Sequence, residues 1–230
     1  VILFDVLSVE HLERIGELLW SGPGGPAPFL VGSSGIESAL VAHWRQQGWL
    51  DAPPARPGGP EAPFQLVLSG SCSMATMAQV EYARERGYVP IRLPSDAAGP
   101  GSGSVEHIAD EALKAMDRGQ SAVVFSALGP AECDDATIAA GVGEALAEVG
   151  ARIVARARPP RLVVAGGDTS GRVATRLSID SLRFLAPIAP GAPLCRARSR
   201  DPRTDGLEVC LKGGQIGGAS YFEQVRMGRA

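Results

Sequence analysis

The sequence predicts an α/β fold: a mainly parallel, Rossmann-like sheet with helices on both faces and a C-terminal antiparallel extension. Three observations predict it. Apolar runs of strand length alternate with longer stretches of helix length. Glycine and serine gather where the apolar runs stop, as tight strand-to-helix turns require. The 29 glycines and 18 prolines fall between the runs, which fits many short βα connections rather than disorder. Strands alternating with helices imply right-handed crossovers and a parallel sheet covered on both sides.

Strands are expected at Val1 to Val6, Phe29 to Gly32, Gln65 to Leu68, Tyr88 to Leu93, Ala122 to Ser126 and Arg161 to Ala165. Helices are expected between them: Val9 to Trp20, Ile36 to Gln47, Met74 to Arg86, Val105 to Arg118 and Asp134 to Val149. In the fourth, Ile108, Ala112 and Ala115 form one apolar stripe, and Ser102-Gly103-Ser104 is its start signal. The fifth opens on Asp134, Asp135 and Thr137 and ends before Gly150. A short helix follows Arg161 to Ala165, from about Arg172 to Leu177. Leu182 to Leu211 is expected to pair as antiparallel strands. Asp51 to Pro63 is a Pro/Gly-rich loop or linker. The chain starts on Val1 with a strand under way, which reads as part of a longer protein.

Composition excludes several function classes. The net charge of −3 gives no electrostatic case for nucleic acid. No apolar run is long enough to span a bilayer. Cys72, Cys133, Cys195 and Cys210 are too far apart for a CxxC pair, and reduced thiols in a cytoplasmic protein are expected. His11, His43 and His107 are scattered, so no zinc motif is present. There is no GxxxxGK[ST] run and no well-placed GxGxxG.

The chemistry is expected where apolar runs meet glycine. Arg161 to Ala165 ends in Gly166-Gly167-Asp168-Thr169-Ser170-Gly171. This reads as strand, turn and helix start, where free N–H groups and the helix dipole suit an anion. The pattern recurs at Leu207 to Lys212, followed by Gly213-Gly214-Gln215-Ile216-Gly217-Gly218. Val31-Gly32-Ser33-Ser34-Gly35 and Ser69-Gly70-Ser71-Cys72-Ser73 are two further junctions of this kind. Each alone is compatible with an ordinary capped turn; four at the strand ends of one sheet point to a nucleotide site. Ser71 and Ser73 suit either a helix cap or a phosphate. Asp168 suits either a first-turn acid or a ligand to Mg²⁺ or ribose. Of 22 basic residues only Lys114 and Lys212 are lysines, and Lys212 stands where a flexible cation reaches a phosphate or meets water.

Ser69 to Ser73 followed by Ala75, Thr76 and Gln79, then Gly166 to Gly171, then Leu211 to Gly218 with Tyr221 and Phe222 behind it, resemble the four-carbon acid sugar kinase family. The opening Phe4-Asp5-Val6 and Val31 to Gly35 are similar to it as well. The resemblance implies two α/β domains, an N-terminal one for the sugar acid and a C-terminal one for the nucleotide. This chain matches the C-terminal part. No DDxTG-like motif occurs, so residues 1–230 are expected to be the nucleotide-binding domain and the N-terminal domain to be absent from the chain. The resemblance implies ATP and Mg²⁺, with phosphoryl transfer to O4 of threonate, erythronate or a 3-oxo-tetronate. It places Ser71, Ser73, Gly166, Gly167, Asp168, Thr169, Gly213, Gly214 and Gly217 at the nucleotide, with Asp168 and Lys212 near the phosphates. The catalytic base is expected from the missing domain. Partners implied are ATP, a sugar acid and that domain; a homodimer is compatible with the sequence, which does not fix the oligomeric state. A non-catalytic nucleotide- or sugar-phosphate-sensing module and an NAD-linked dehydrogenase are the competing readings.

Overall fold

The computed structural model describes residues 3–20, 29–51, 57–94, 103–132 and 136–229. The chain divides into two compact units, Val1–Ala55 and Arg56–Ala230. The boundary falls inside the Pro/Gly-rich stretch, of which residues 52–56 lie outside the described part.

The second unit holds one seven-stranded sheet. Its strands in chain order are β1 (Leu66–Ser69), β2 (Val89–Arg92), β3 (Ala122–Phe125), β4 (Arg161–Ala165), β5 (Ile179–Ala189), β6 (Ala192–Ser199) and β7 (Glu208–Lys212). Across the sheet they run β2-β3-β1-β4-β7-β6-β5. The first five in that spatial order are parallel, with Leu66 facing Ala122 on one side and Leu162 on the other. The chain leaves β1 toward β2 and β3, then crosses back to β4. The sheet's direction of growth therefore reverses at β1 and β4, and in such sheets ligands bind beyond the carboxyl ends at the reversal. β6 is antiparallel to both β7 and β5, which is the expected C-terminal extension.

Complete burial of β1, β3 and β4 explains why their sequences are continuously apolar rather than alternating. Leu66, Leu68, Val124, Leu162 and Val164 face one layer, formed by α4 (Gly103–Asp117), α5 (Ala136–Arg156) and α6 (Gly167–Arg176). Val67, Val123, Val163 and Cys210 face the other, formed by α3 (Met74–Glu85) and α7 (Tyr221–Met227). Ile108, Ala112 and Ala115 are buried as the stripe predicts. Asp134, Asp135 and Ser102, read as cap residues, lie outside the described residues.

The amino end of the sheet is closed by buried polar groups. Arg161 is fully buried. Its Nε donates to Glu208 Oε2 at 3.0 Å, and its Nη atoms donate to the carbonyls of Pro60 at 2.8 Å, Arg226 at 3.1 Å and Val225. Gln65 Nε2 donates to Phe222 O at 2.6 Å and to Tyr88 Oη at 3.0 Å, and Tyr88 donates to Glu223 at 3.0 Å. These bonds fasten α7 and residues 60–65 to the ends of β1 and β4.

In the first unit α1 (Val9–Trp20) and α2 (Ser34–Gln46) form a helical pair. Gly16 permits close approach, because a Cβ there would lie 2.0 Å from Ala39 O. Trp20 stacks edge-on against Trp44 at 5.4 Å and lies 5.6 Å from Trp49. The strands expected at Val1 to Val6 and Phe29 to Gly32 are not observed: residues 3–7 and 29–32 belong to no sheet, and Val1 and Ile2 lie outside the described residues. Sheet formation requires a neighbouring strand, and none adjoins these runs among the described residues of their unit. Among the described residues no helix is long and apolar enough to cross a membrane.

Candidate functional site

Three of the four glycine junctions meet at the carboxyl ends of β1, β4 and β7, which are consecutive in the sheet. The fourth, Val31 to Gly35, lies in the first unit and follows no strand. Backbone bonds tie the three together at their bases: Gly70 N donates to Ala165 O at 3.0 Å, and Gly166 N to Lys212 O at 3.0 Å. Above β4, the loops of β1 and β7 touch. A Cβ at Gly214 would stand 2.3 Å from Ser71 Oγ, and one at Gly70 would stand 2.2 Å from Thr169 Oγ1. Glycine is required there by closeness. At Gly166 it is also required by conformation, since φ is 116°.

Gly166 is the N-cap residue of α6 and supplies no side chain to that helix start. The first-turn amides of Gly167, Asp168 and Thr169 thus lack intrahelical acceptors, while Ser170 N is satisfied by Gly166 O at 2.9 Å. Gly167 and Asp168 are exposed and Thr169 is buried. Open amides and the positive end of the helix dipole favour an anion. Asp168 opposes a bare phosphate at this end and agrees with one that carries a metal ion.

At α3 the two serines separate in role. Ser73 is the N-cap: its Oγ accepts from Thr76 N at 3.1 Å and donates to Gly214 O at 2.6 Å. Its hydroxyl proton is therefore committed to protein. Ser71 is buried, and its Oγ accepts from Ser73 N at 3.3 Å. The Ser71 hydroxyl faces Gly214 across the gap between the β1 and β7 loops.

Lys212 ends β7 and is 2% exposed, so of its two sequence readings, a cation that reaches a phosphate and one that meets water, the second does not hold. Its Nζ donates to Thr76 Oγ1 at 2.9 Å and to Gly214 O at 3.1 Å, and lies 5.9 Å from the centre of the Tyr221 ring. No carboxylate pairs with it among the described residues. Burial pushes its pKa down to about 8. An ammonium has three donors, so one is left over. Ser73, Thr76 and Lys212 converge on the single carbonyl of Gly214, Thr76 donating at 2.7 Å. This pulls that carbonyl inward beneath the turn. Gln79 Nε2 holds the rest of the turn by donating to Ile216 O and Gly217 O, each at 3.0 Å. Gly217 itself has φ of 84° and abuts Tyr221.

Thr76 and Gln79 carry the β7 turn, yet as single residues neither signals a role. The available sign is their spacing: 73, 76 and 79 fall along one face of α3. Cys72, in the same loop, is disulfide-bonded, which corrects the expectation of reduced thiols at that position. Cys195 and Cys210 are free and buried, and burial pushes the Cys210 thiol up to about 12.

Residues for a bound nucleotide are thus present: small residues that admit phosphate, open amides and one buried cation. Among the described residues no cluster of three or more acidic, histidine or cysteine side chains gathers to hold a metal. Asp168 shares an open cavity with Glu144, which is paired with Arg172. A single carboxylate of this kind, unpaired to protein among the described residues, suits a magnesium ion held mainly by phosphate and water.

A family model described as a nucleotide-binding C-terminal domain matches residues 66–222. A 3-oxo-isoapionate kinase of Paraburkholderia graminis is 43% identical, over 100% of this chain and 52% of that protein. A 3-oxo-tetronate kinase of Cupriavidus necator is 34% identical, over 96% of this chain and 50% of that protein. A solved structure from Salmonella typhimurium LT2 superposes with a TM-score of 0.67 at 27% identity, over 96% of this chain and 51% of that one. The chain spans about half the length of the curated relatives it matches.

Proposed function

The chain belongs to the nucleotide-binding C-terminal domain family of the four-carbon acid sugar kinases, and from that premise we propose that its second unit binds Mg–ATP as the donor half of a sugar-acid kinase. The observation that carries this reading is Lys212, a buried cation with no carboxylate partner among the described residues, set beneath three converging glycine loops. Phosphoryl transfer mostly needs positioning and neutralised charge. The amides of Gly167, Asp168 and Thr169 and the Ser71 hydroxyl would receive phosphate oxygens. Lys212 would supply positive charge from below the turn, and Gly213, Gly214 and Gly217 would let the backbone come close. Magnesium, when bound on the phosphates beside Asp168, would neutralise charge that builds on them during transfer.

The acceptor class is a 3-oxo sugar acid of the kind named in the relatives, with O4 the receiving oxygen on a four-carbon acid. The acceptor and the base that orients it would come from the other half of the enzyme, so this chain alone turns over no sugar acid. The experiment is thermal melting of this chain with millimolar Mg–ATP, Mg–ADP and NAD. At 100 times its dissociation constant ATP adds about 2.7 kcal/mol of stability. Stabilisation by ATP and ADP and none by NAD is expected; a folded sample indifferent to ATP overturns the reading. Acceptor-dependent ADP release by this chain alone, with 3-oxo-tetronate, threonate or erythronate, would overturn the division of labour.

A further inference from the structure

We propose that Gln79 and Thr76 are positioning residues: by holding carbonyls of the turn after β7 against α3, they aim the N–H groups of Gln215, Gly217 and Gly218 outward as a nest for the terminal phosphates of the nucleotide. That the anion belongs to a nucleotide rests on the Mg–ATP reading. The nest itself rests on the hydrogen bonds of the turn.

Gly214 O accepts from Ser73 Oγ, Thr76 Oγ1 and Lys212 Nζ, three donors on one carbonyl. Ile216 O and Gly217 O both accept from Gln79 Nε2. These carbonyls therefore face α3 and the buried end of β7. In a planar trans peptide the N–H of the next residue points the opposite way from the carbonyl. The N–H groups so turned outward belong to Gln215, Gly217 and Gly218. None of the three donates to a protein acceptor among the described residues, whereas Ile216 N is spent on Gly213 O at 3.2 Å. Gln215 and Gly218 are exposed. Gly217, between them, has φ of 84°, in the left-handed region. Neighbouring amides turned to one side about such a residue form an anion-binding concavity.

Gln79 is fully buried, and its Oε1 has no partner among the described residues. A bare buried oxygen is costly. The reverse orientation of the amide would set that oxygen against two carbonyl oxygens, which is worse. The side chain thus serves the fold through its donors alone, and both of their bonds go to the turn. Lys212, buried behind Gly214 O, places positive charge at the back of the same turn. The nest points away from α3. The open first turn of α6 belongs to the layer on the other face of the sheet.

Calorimetry and amide spectra of this chain, titrated with Mg–ADP and separately with pyrophosphate, test this on the wild type and on Gln79→Met. Methionine keeps the length of the side chain and removes the donors, and a thermal melt checks that the variant is folded. In the wild type the amide protons of Gln215, Gly217 and Gly218 should move downfield with either ligand. In Gln79→Met both ligands should bind about 10-fold more weakly or worse, as lost hydrogen bonds to a charged group imply. Thr76→Val acts on one carbonyl only and should lose less. Pyrophosphate binding with those three amides moved, but no binding of Mg–ADP, upholds the nest and overturns the nucleotide reading. Mg–ADP bound equally by wild type and folded Gln79→Met overturns the nest and leaves the nucleotide reading in place. Three unmoved amides in the ligand-bound wild type overturn the nest without any variant, and so does a wild type that binds neither ligand.

Discussion

Arg161 and Lys212 are both buried cations on neighbouring strands of one sheet, and they are treated oppositely. Arg161 opens β4 at the amino end, in register with Glu208. It has a carboxylate and three backbone carbonyls around it. Lys212 closes β7 at the carboxyl end, in register with Ala165, and has a hydroxyl, a carbonyl and an aromatic ring but no acid among the described residues. A buried charge is costly unless paired. The first end is therefore neutralised by the fold itself. The second holds positive charge that the fold leaves to be neutralised by something else, and it does so beneath three glycine loops. The difference separates an end that the fold itself neutralises from the end at which we propose that the nucleotide binds.

The comparison breaks most visibly at Arg161. Arg161→Met leaves Glu208 with only the longer contact from Arg196 at 3.3 Å and several carbonyls without their donor, and should cost about 3–5 kcal/mol in urea unfolding. Nucleotide affinity of the folded fraction should be unchanged. A stability loss below about 1 kcal/mol would mean that the paired end is not the structural one.

Lys212→Met should do the reverse. Losing a charge-assisted contact worth about 1.5–3 kcal/mol weakens ATP binding roughly 10- to 100-fold in calorimetry. Stability should hold or rise, because an unneutralised buried charge is removed. The pH dependence sharpens this. Lys212 titrates at about 8 in the folded chain and near 10.5 when unfolded. Below pH 8 both states are charged and the burial cost is present in full. Between those values the unfolded chain holds the extra proton, so this group adds stability as pH rises. Cys210, pushed up to about 12 from 9.0, acts in the opposite direction once pH passes 9. The window to compare is therefore pH 8 to 9, where the wild type should gain stability relative to Lys212→Met. Over the same window its ATP affinity should fall, as the cation is lost. Parallel pH profiles in the two proteins would remove Lys212 from the account.

Gly70→Ala tests the closeness of the loops with a smaller effect. Its Cβ meets Thr169 Oγ1 at 2.2 Å, so overpacking should cost about 1–3 kcal/mol. Thr169→Ala removes the obstructing oxygen, and the double variant should recover part of the loss. No coupling in that cycle would show that the β1 and β4 loops do not press on one another.

Which parts were legible in the sequence follows from how local their causes are. β4 and α1 fall where the residue pattern puts them, because a buried apolar run and an amphipathic period are properties of the segment itself. The glycines of the site were legible too, since tight turns need glycine wherever they occur. Burial of Arg161 and Lys212 was not. It depends on Glu208, 47 residues away, and on Thr76, 136 residues away. Thr76 and Gln79 were seen within a motif without a task, because a polar residue on a helix usually faces water. The runs at 3–7 and 29–32 have strand composition but lack a sheet in this structure, since a strand is completed by its neighbours.

Amide chemical-shift mapping of this chain during titration with Mg–ADP tests the central claim most directly, because it reads both ends of the sheet at once. The account predicts saturable shifts at Gly70 to Ser73, Gly166 to Thr169 and Gly213 to Gly217, with Gln65, Glu208 and Val225 unmoved. Shifts centred on the amino end, or none at millimolar nucleotide in a folded sample, would contradict it.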